Sequence, residues 1–311
     1  MPYLLSNINQ RIKTDPREFI SECDDIFCAQ VSTAADKICA HLSDSPIVLL
    51  SGPSGSGKTT TAQKIQTELN KRSVGTHTVS MDNYFCTVDP QTAPRTPEGD
   101  LDFESPLCLD MDLLNEHFTQ LSRGEEILLP HYEFEEQRQT GRKSTPLRLR
   151  KDEIVIFEGI HALNDDITSI HPKAFKLYIS ARSDIIENGD VCFKGTWMRL
   201  VRRTVRDNLF RRTPANQTLS MWANIRRGEK LYISPFKYKT NFIIDSSLPY
   251  EVSAIKPFAT PLFKDIPDGA ERFDELRLIM PALELFEDID ESLIAPESLL
   301  REFIGGGVYK Y

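Results

Sequence analysis

The feature that most constrains the fold is an apolar run that leads directly into a glycine-rich loop. Residues 47–51 read Ile-Val-Leu-Leu-Ser, and residues 52–59 read Gly-Pro-Ser-Gly-Ser-Gly-Lys-Thr. The apolar run is typical of a buried parallel strand, and the pattern of residues 60–69 predicts a helix. Strand, Gly-x4-Gly-Lys-Thr loop and helix together predict a nucleoside triphosphate site. The alternative, a Gly/Ser turn before an ordinary helix, is disfavoured by the preceding strand.

Each residue type in this loop has a chemical part in such a site. Glycines allow backbone conformations in which successive N–H groups point into one concavity and hold phosphate oxygens. Lys58 supplies a mobile positive charge for the β- and γ-phosphates, and the Thr59 hydroxyl is a ligand for Mg²⁺. The loop residues expected to bind ATP are Gly52, Ser54, Gly55, Ser56, Gly57, Lys58, Thr59 and Thr60.

Composition limits the other functions that this chain can have. Among 311 residues, 37 Lys and Arg face 46 Asp and Glu, giving a net charge of −9, which argues against a general nucleic-acid binder. The six cysteines lack CxxC spacing, so the sequence predicts neither a zinc site nor a disulfide framework. We find no signal-peptide pattern and no run of 18 apolar residues, so we expect a cytoplasmic protein without a membrane partner.

The pattern of apolar residues divides the chain into three parts. Residues 1–45 have helical periodicity and form an N-terminal helical segment. Residues 46–251 contain the glycine-rich loop and the strand patterns of an α/β nucleotide-binding domain. Residues 252–311 are mainly helical by pattern and form a C-terminal extension, for which the sequence suggests no chemistry.

Two carboxylates follow predicted strands near the loop. Asp82 ends a strand over residues 75–81, and Glu158 lies in the apolar run 154–160. Parallel α/β sheets bind their ligands at the carboxyl ends of the strands, so both acids are expected at that edge. By itself Asp82 could be a helix cap or turn residue, and Glu158 an exposed strand-end acid. Beside a P-loop, Glu158 fits a Mg²⁺ partner of Thr59.

Basic residues are concentrated in residues 196–212, which have a helical pattern. At helical spacing Arg199, Arg202 and Arg206 share one face. The usual interpretation is a solvated basic helix that pairs with acids elsewhere. The alternative is that these arginines close over a transferring γ-phosphoryl group and stabilise its charge.

Two short extended runs, residues 125–130 and 144–150, flank residues 132–143. This arrangement predicts a small hairpin outside the main sheet, with a polar tip that could reach a substrate.

Six motifs occur in the order in which one family carries them. The chain therefore resembles the uridine kinase branch of the phosphoribulokinase/uridine kinase family over about residues 46–251. Residues 222–235 and 298–306 resemble a bacterial subgroup of uridine kinase-like proteins. Besides the glycine-rich loop, the motifs are Ser80-Met81-Asp82-Asn83-Tyr84-Phe85, Asp102-Phe103-Glu104-Ser105-Pro106, Leu129-Pro130-His131-Tyr132-Glu133-Phe134, Ile156-Phe157-Glu158-Gly159-Ile160 and Arg199-Leu200-Val201-Arg202-Arg203-Thr204-Val205-Arg206-Asp207.

The resemblance implies a fold and an activity. The expected fold is α/β, a three-layer P-loop NTPase fold with a mostly parallel five-stranded sheet, a small hairpin excursion and extra terminal helices. The expected reaction is ATP-dependent, Mg²⁺-assisted phosphorylation of the 5′-hydroxyl of a ribonucleoside such as uridine or cytidine. The expected partner is thus a small-molecule nucleoside. The sequence leaves open whether the chain forms a homo-oligomer.

The resemblance also assigns roles to individual residues. Asp82 activates the acceptor hydroxyl, with Lys58 and Arg202 as further catalytic residues. Thr59 and Glu158 hold Mg²⁺. Arg206 is expected to bind the ATP phosphates. The nucleoside is expected to contact Glu104, Tyr132, Gln137 and Arg199, and Gln137 stands where the family has a histidine.

The sequence departs from the family pattern mainly around the nucleoside. Residues 102–106 read Asp-Phe-Glu-Ser-Pro where typical uridine kinases have Asn-Phe-Asp-His-Pro. The Arg-Gly pair that the family carries after its arginine-rich motif is Arg211-Arg212 here. Phosphoryl transfer is therefore better supported than uridine as acceptor. One rival is a kinase of the same family for pantothenate or a sugar phosphate, although carboxylates such as Glu104, Glu133 and Glu135 suit a neutral polyol better. The second rival is a non-catalytic nucleotide-binding regulatory protein.

Overall fold

A computed structural model describes residues 2–133, 136–140, 145–270 and 273–309 of the chain. Strands and helices are numbered in chain order. The strands are β1 (Tyr3–Leu4), β2 (Ile47–Ser51), β3 (Gly75–Ser80), β4 (Ile127–Leu129), β5 (Tyr132–Glu133), β6 (Arg138–Gln139), β7 (Thr145–Leu147), β8 (Glu153–Glu158), β9 (Phe175–Ser180), β10 (Ile185–Glu187), β11 (Asp190–Phe193) and β12 (Phe242–Asp245). The helices are α1 (Leu5–Thr14), α2 (Pro16–His41), α3 (Lys58–Lys71), α4 (Met111–Ser122), α5 (Asp165–Thr168), α6 (Gly195–Phe210), α7 (Ala215–Gly228), α8 (Glu251–Lys264), α9 (Phe273–Leu283) and α10 (Arg301–Ile304).

Five parallel strands form the central sheet, in the order β12-β9-β2-β8-β3. The predicted five-stranded parallel sheet is therefore confirmed. All five residues of β2 are buried at its centre, which explains the uninterrupted apolar run. Because the strands are parallel, their carboxyl ends meet at one edge of the sheet, and this edge carries the glycine-rich loop.

The two faces of the sheet pack against separate layers of helices. Along β2, Val48 and Leu50 pack into the apolar cluster that contains residues of α2, α3, α6 and α8. The alternate residues Ile47 and Leu49 pack into a second cluster with residues of α4 and α5. Successive side chains of a strand point to opposite faces of the sheet, so each face packs against its own layer of helices. The result is the three-layer α/β fold.

Both terminal segments belong to the first of these clusters. Leu5 and Ile8 of α1 are buried there, as are Leu299 and Phe303 near the C-terminus. The N-terminus also contains a short strand that the helical pattern did not predict, since β1 pairs in parallel with β10 beside the antiparallel pair β10-β11. Two residues are too few for a strand pattern to show in the sequence.

The hairpin excursion is present outside the main sheet. Strand β4 pairs antiparallel with β7, and β5 pairs antiparallel with β6. Part of its predicted tip, including Glu135, lies outside the described residues. Within the described ranges, no helix combines the length and the apolar character needed to cross a membrane.

A buried ion pair joins α6 to α8 behind the glycine-rich loop. Arg202 is fully buried, and its Nε donates to Glu251 Oε2 over 2.8 Å. The same guanidinium donates to the carbonyl oxygens of Ser246 at 2.7 Å and Gly55 at 3.2 Å. Burial raises the pKa of Glu251, and Arg202 opposes this shift. The pair therefore holds the loop, the strand end after β12 and α8 together.

We predict that Glu251→Ala lowers the free energy of unfolding by about 3–5 kcal/mol, because it leaves the Arg202 charge buried without its carboxylate. The exposed pair between Lys13 and Glu287 provides the control, and Lys13→Ala should cost less than about 1 kcal/mol. Urea unfolding of both variants measures the difference. Equal effects for the two would contradict the structural role of the buried pair.

Candidate active site

The glycine-rich loop has a backbone conformation that favours glycine at two positions. Gly55 has φ 74° and Gly57 has φ 83°, both in the left-handed region. A Cβ on Gly55 would also lie 2.7 Å from the carbonyl oxygen of Arg199. Helix α3 begins immediately afterwards at Lys58, so the N–H groups of its first turn lie beside the loop.

A cavity of about 210 Å³ lies against this loop, and we call it the phosphate cavity. Its walls carry four basic and four acidic side chains beside the loop backbone. The basic residues are Lys58, Arg203, Arg206 and Arg211, and the acidic residues are Asp82, Glu104, Glu158 and Glu302. The other lining residues are Ser54, Gly55, Ser56, Gly57, Thr59, Phe85, Phe103 and Ile160. Most of the residues predicted to bind phosphate and metal are thus brought together.

Thr59 and Glu158 meet at the edge of the sheet. The Thr59 hydroxyl donates to Glu158 Oε1 over 3.2 Å. Burial raises the pKa of Glu158 to about 7, while the nearby Lys58 ammonium lowers it. A hydroxyl and a carboxylate oxygen in one place are the hard oxygen donors that Mg²⁺ prefers, so these residues fit that ion.

Asp82 lies in a single 3₁₀ turn directly after β3. Its side chain is exposed to the phosphate cavity, and its backbone N–H donates to the Ser80 hydroxyl over 3.3 Å. Desolvation within the cleft raises the pKa of Asp82, and Lys58 and Arg211 oppose that shift. The carboxylate is therefore held opposite the loop by the turn and is surrounded by cations.

A second cavity of about 760 Å³ adjoins the first, and we call it the large cavity. Four residues, Phe85, Phe103, Glu104 and Arg203, line both cavities. Tyr132 and Gln137, predicted to contact the nucleoside, also line the large cavity, and the Tyr132 ring lies 5.6 Å from the ring of Phe85. The other lining residues are Arg95, Gly99, Asp100, Leu101, Asp102, Ser220, Met221, Asn224 and Ile225.

Helix α7 and Tyr232, which follows it, hold the loop that carries Asp102 and Glu104 beside the two cavities. Arg227 pairs with Asp102 at 2.7 Å, and the Tyr232 hydroxyl donates to the same carboxylate over 3.4 Å. Gly228 packs so closely that a Cβ there would lie 2.2 Å from Glu104 Cβ. Burial raises the pKa of Glu104 to about 7, with Arg203 and Lys58 opposing. Glu104 is thereby held at the junction of the cavities.

The structure does not bring Arg199 and Arg202, which were predicted to contact the ligand, to either cavity. Arg199 is 2% exposed and pairs with Glu229 over 2.9 Å, and Arg202 is buried against Glu251. Neither residue lines the phosphate cavity or the large cavity. Both point into the protein because the burial of a charged guanidinium is stabilised by a paired carboxylate, and each has one there.

Arg203 and Arg206 are the α6 arginines that line the phosphate cavity. Arg203 Nη1 donates to the Ser54 hydroxyl over 2.5 Å, and Arg206 pairs with Asp207 at 3.0 Å. The sequence analysis did not assign Arg203. Arginines lie on several sides of α6. The positions of their partner acids decide which of them face the phosphate cavity.

The sequence analysis also missed Glu302 of α10. Its Oε2 accepts a hydrogen bond from the Thr60 hydroxyl over 2.6 Å and from the Thr60 backbone N–H over 3.3 Å. Thr60, predicted to bind phosphate, is fully buried and does not line the cavity, and its N–H and hydroxyl contact this carboxylate. Glu302 lies within residues 298–306, which resemble a bacterial subgroup of the family, but that resemblance gave this residue no role.

A strand, a glycine-rich loop and a helix N-terminus, with acids at adjacent strand ends, define a P-loop α/β protein. The family model described as Phosphoribulokinase / Uridine kinase family matches residues 47–252. This match covers more than half of the 311 residues, so the chain belongs to that family, and the resemblance inferred from the motifs is confirmed.

Several uridine kinases are similar to this chain at moderate sequence identity. The uridine kinase of Saccharomyces cerevisiae is 27% identical over 205 residues, which cover 64% of this chain but only 36% of that protein. The uridine kinase of Oceanobacillus iheyensis is 27% identical over 205 residues, covering 64% of this chain and 86% of that protein. The structure of a possible uridine kinase from Bacillus stearothermophilus has a TM-score of 0.43 and 17% identity, covering 68% of this chain and 98% of that one.

The raised pKa values of Glu104 and Glu158, each about 7 against an ordinary 4.5, predict a pH effect. Between about pH 4.5 and 7 the folded protein keeps protons that the unfolded chain has released, so these groups make unfolding easier as pH rises. Glu104→Gln and Glu158→Gln should each reduce the loss of stability from pH 5 to pH 8. Urea midpoints at both pH values test this, with the exposed Glu125→Gln as control. A variant whose pH dependence matches wild type would contradict the prediction.

Proposed function

We propose that this protein is an ATP-dependent kinase that phosphorylates the 5′-hydroxyl of a ribonucleoside, uridine or cytidine in the first instance. The observation that carries the proposal is the junction of the two cavities at Glu104 and Arg203. A phosphate site that opens into a larger site lined by both polar and aromatic residues suits transfer from a nucleotide to a small acceptor. Membership of the family supports the class of reaction.

The donor phosphates would bind in the phosphate cavity. Backbone N–H groups of the loop would hold the phosphate oxygens, and Lys58, Arg203 and Arg206 would neutralise charge that develops on the transferring group. Thr59 and Glu158 would hold Mg²⁺, which supplies further neutralisation of phosphate charge when bound. The proposal thus assigns to Arg203 the part that the sequence analysis gave to Arg202.

The acceptor would bind in the large cavity with its hydroxyl toward Asp82. Asp82 would accept the hydroxyl proton, and its position at the end of β3 on the wall of the phosphate cavity supports this role. Glu104 and Arg203 together can satisfy the donors and acceptors of a ribose diol. Tyr132 offers a ring face to the base, and Gln137 offers either a donor or an acceptor edge.

The charges of the large cavity separate this proposal from its rivals. Asp100, Asp102 and Glu104 line it against Arg95 and Arg203, so a neutral polyol suits it better than an anionic sugar phosphate or pantothenate. A regulatory protein without turnover would not need Asp82 opposite the loop. The six cysteines are all free, which supports the proposed cytoplasmic location.

We predict that Asp82→Asn lowers turnover by about 10²-fold or more, the usual scale for a positioned general base, and leaves ATP affinity within a few-fold of wild type. Asp89→Asn, in an exposed loop and lining neither cavity, is the matched control and should be close to wild type. Steady-state kinetics and ATP titration of both variants give the two numbers. Lost ATP affinity with normal turnover of bound substrate would make Asp82 a metal or structural residue.

A panel of acceptors tests the substrate class. We predict that ribonucleosides exceed 2′-deoxyribonucleosides in kcat/KM by about 10²-fold or more, because Glu104 and Arg203 would be left without a hydroxyl partner. Discrimination between bases should be loose, since Gln137 can present either edge. The panel contains uridine, cytidine, purine ribonucleosides, deoxyuridine, pantothenate and a sugar phosphate. Equal use of uridine and deoxyuridine would exclude the ribose contact, and activity on the last two alone would move the assignment to the rival kinases.

A further inference from the structure

The C-terminal end of the chain lies directly on the glycine-rich loop. Residues 298–305, here called the C-terminal strap, include Leu299 and Phe303, both fully buried. A Cβ on Gly57 would lie 2.6 Å from Leu299 Cδ1, so the strap is in close contact with the loop backbone. The Phe303 ring lies 5.1 Å from the Arg202 guanidinium and 6.0 Å from that of Arg206. The strap thus forms one wall of the nucleotide region.

Glu302 places a carboxylate from this strap on the first turn of α3. The N–H groups of a first helical turn lack an acceptor within their helix, and Glu302 supplies one for Thr60. The intrahelical pattern starts one residue later, where Thr61 N–H donates to the Gly57 carbonyl over 3.0 Å. In P-loop proteins, backbone N–H groups of the loop and of the helix N-terminus that follows it bind phosphate oxygens. Glu302 therefore occupies a donor that a nucleotide phosphate would use.

Charge and space at this position point the same way. Glu302 is 5% exposed, its carboxylate lies 3.7 Å from Arg206, and it lines the phosphate cavity. A carboxylate there repels a triphosphate and competes for the same cations. At about 210 Å³ the phosphate cavity is small, and Glu302 forms part of its wall.

We propose that Glu302 is an internal competitor for the donor site, and that its carboxylate must withdraw from Thr60 before the nucleotide α-phosphate binds. The inference rests on the proposed nucleotide-binding function. The structure then represents the closed state, and the apparent affinity for nucleotide is reduced by the fraction of molecules in which Glu302 occupies the amide. A purely structural cap would have the opposite consequence, because its loss would disorder the first turn of α3 and weaken nucleotide binding.

The test is the dissociation constant of MgATP, measured by calorimetry without any acceptor. Glu302→Gln keeps the shape and an oxygen acceptor for Thr60 but removes the charge, so it should bind MgATP about tenfold or more tightly than wild type. Glu302→Asp keeps the charge but shortens the side chain by one methylene, and it should tighten binding less. Glu297→Gln is the matched control, an exposed acid just before the strap, and should leave the constant unchanged.

The outcomes separate this inference from the proposed function. Unchanged or weaker MgATP binding in both Glu302 variants, with wild-type binding that Lys58→Ala abolishes, would overturn the role of Glu302 and leave the donor site in place. If neither wild type nor Glu302→Gln binds MgATP, the proposed function itself fails. Thermal unfolding of each variant shows that it is folded, and should Glu302→Gln not fold, Glu302→Asp carries the comparison.

Discussion

The structure of the site depends on how the backbone of the glycine-rich loop is held from behind. Arg199 donates to the Ser54 carbonyl over 3.2 Å, and Arg202 donates to the Gly55 carbonyl over 3.2 Å. These bonds engage the two carbonyls on the protein side of the loop, and residues 54–59 of the loop line the phosphate cavity. The two guanidiniums are themselves fixed by Glu229 and Glu251. The geometry of the loop is thus set by buried charges that line neither cavity.

Helix α6 accordingly has two separate functions on two faces. Its inner face contributes Arg199 and Arg202 to support of the loop, and its outer face contributes Arg203 and Arg206 to the phosphate cavity. Asp207 pairs with both outer guanidiniums, at 3.1 and 3.0 Å, which limits their movement in the absence of phosphate. One helix can therefore build the loop and supply its counter-charges, because successive arginines point in different directions.

The sequence predicts those parts of the molecule that follow from local pattern. The apolar runs of β2 and β8 predict buried parallel strands, and strand-end acids must then meet the loop, as Glu158 meets Thr59. The ligand-facing side of α6 could not be predicted, because it depends on acids that are 30 and 49 residues away in the chain. Glu302 is farther still, 242 residues from Thr60, and only the packing of the C-terminus brings it there.

Electrostatics explains why the Glu302 carboxylate, near the C-terminus, suits a cavity lined by cationic side chains. The phosphate cavity gathers four cationic side chains at the positive end of α3, and burial lowers the pKa values of Lys58, Arg203 and Arg211. Without a ligand these groups need nearby negative charge, and Glu302 and Asp207 supply it. A carboxylate of the protein that stabilises these cations would also oppose the binding of a phosphate group there. Both anions would interact with the same donors and cations. Under the proposed function, stability of the free protein and affinity for nucleotide are therefore opposed at this one position.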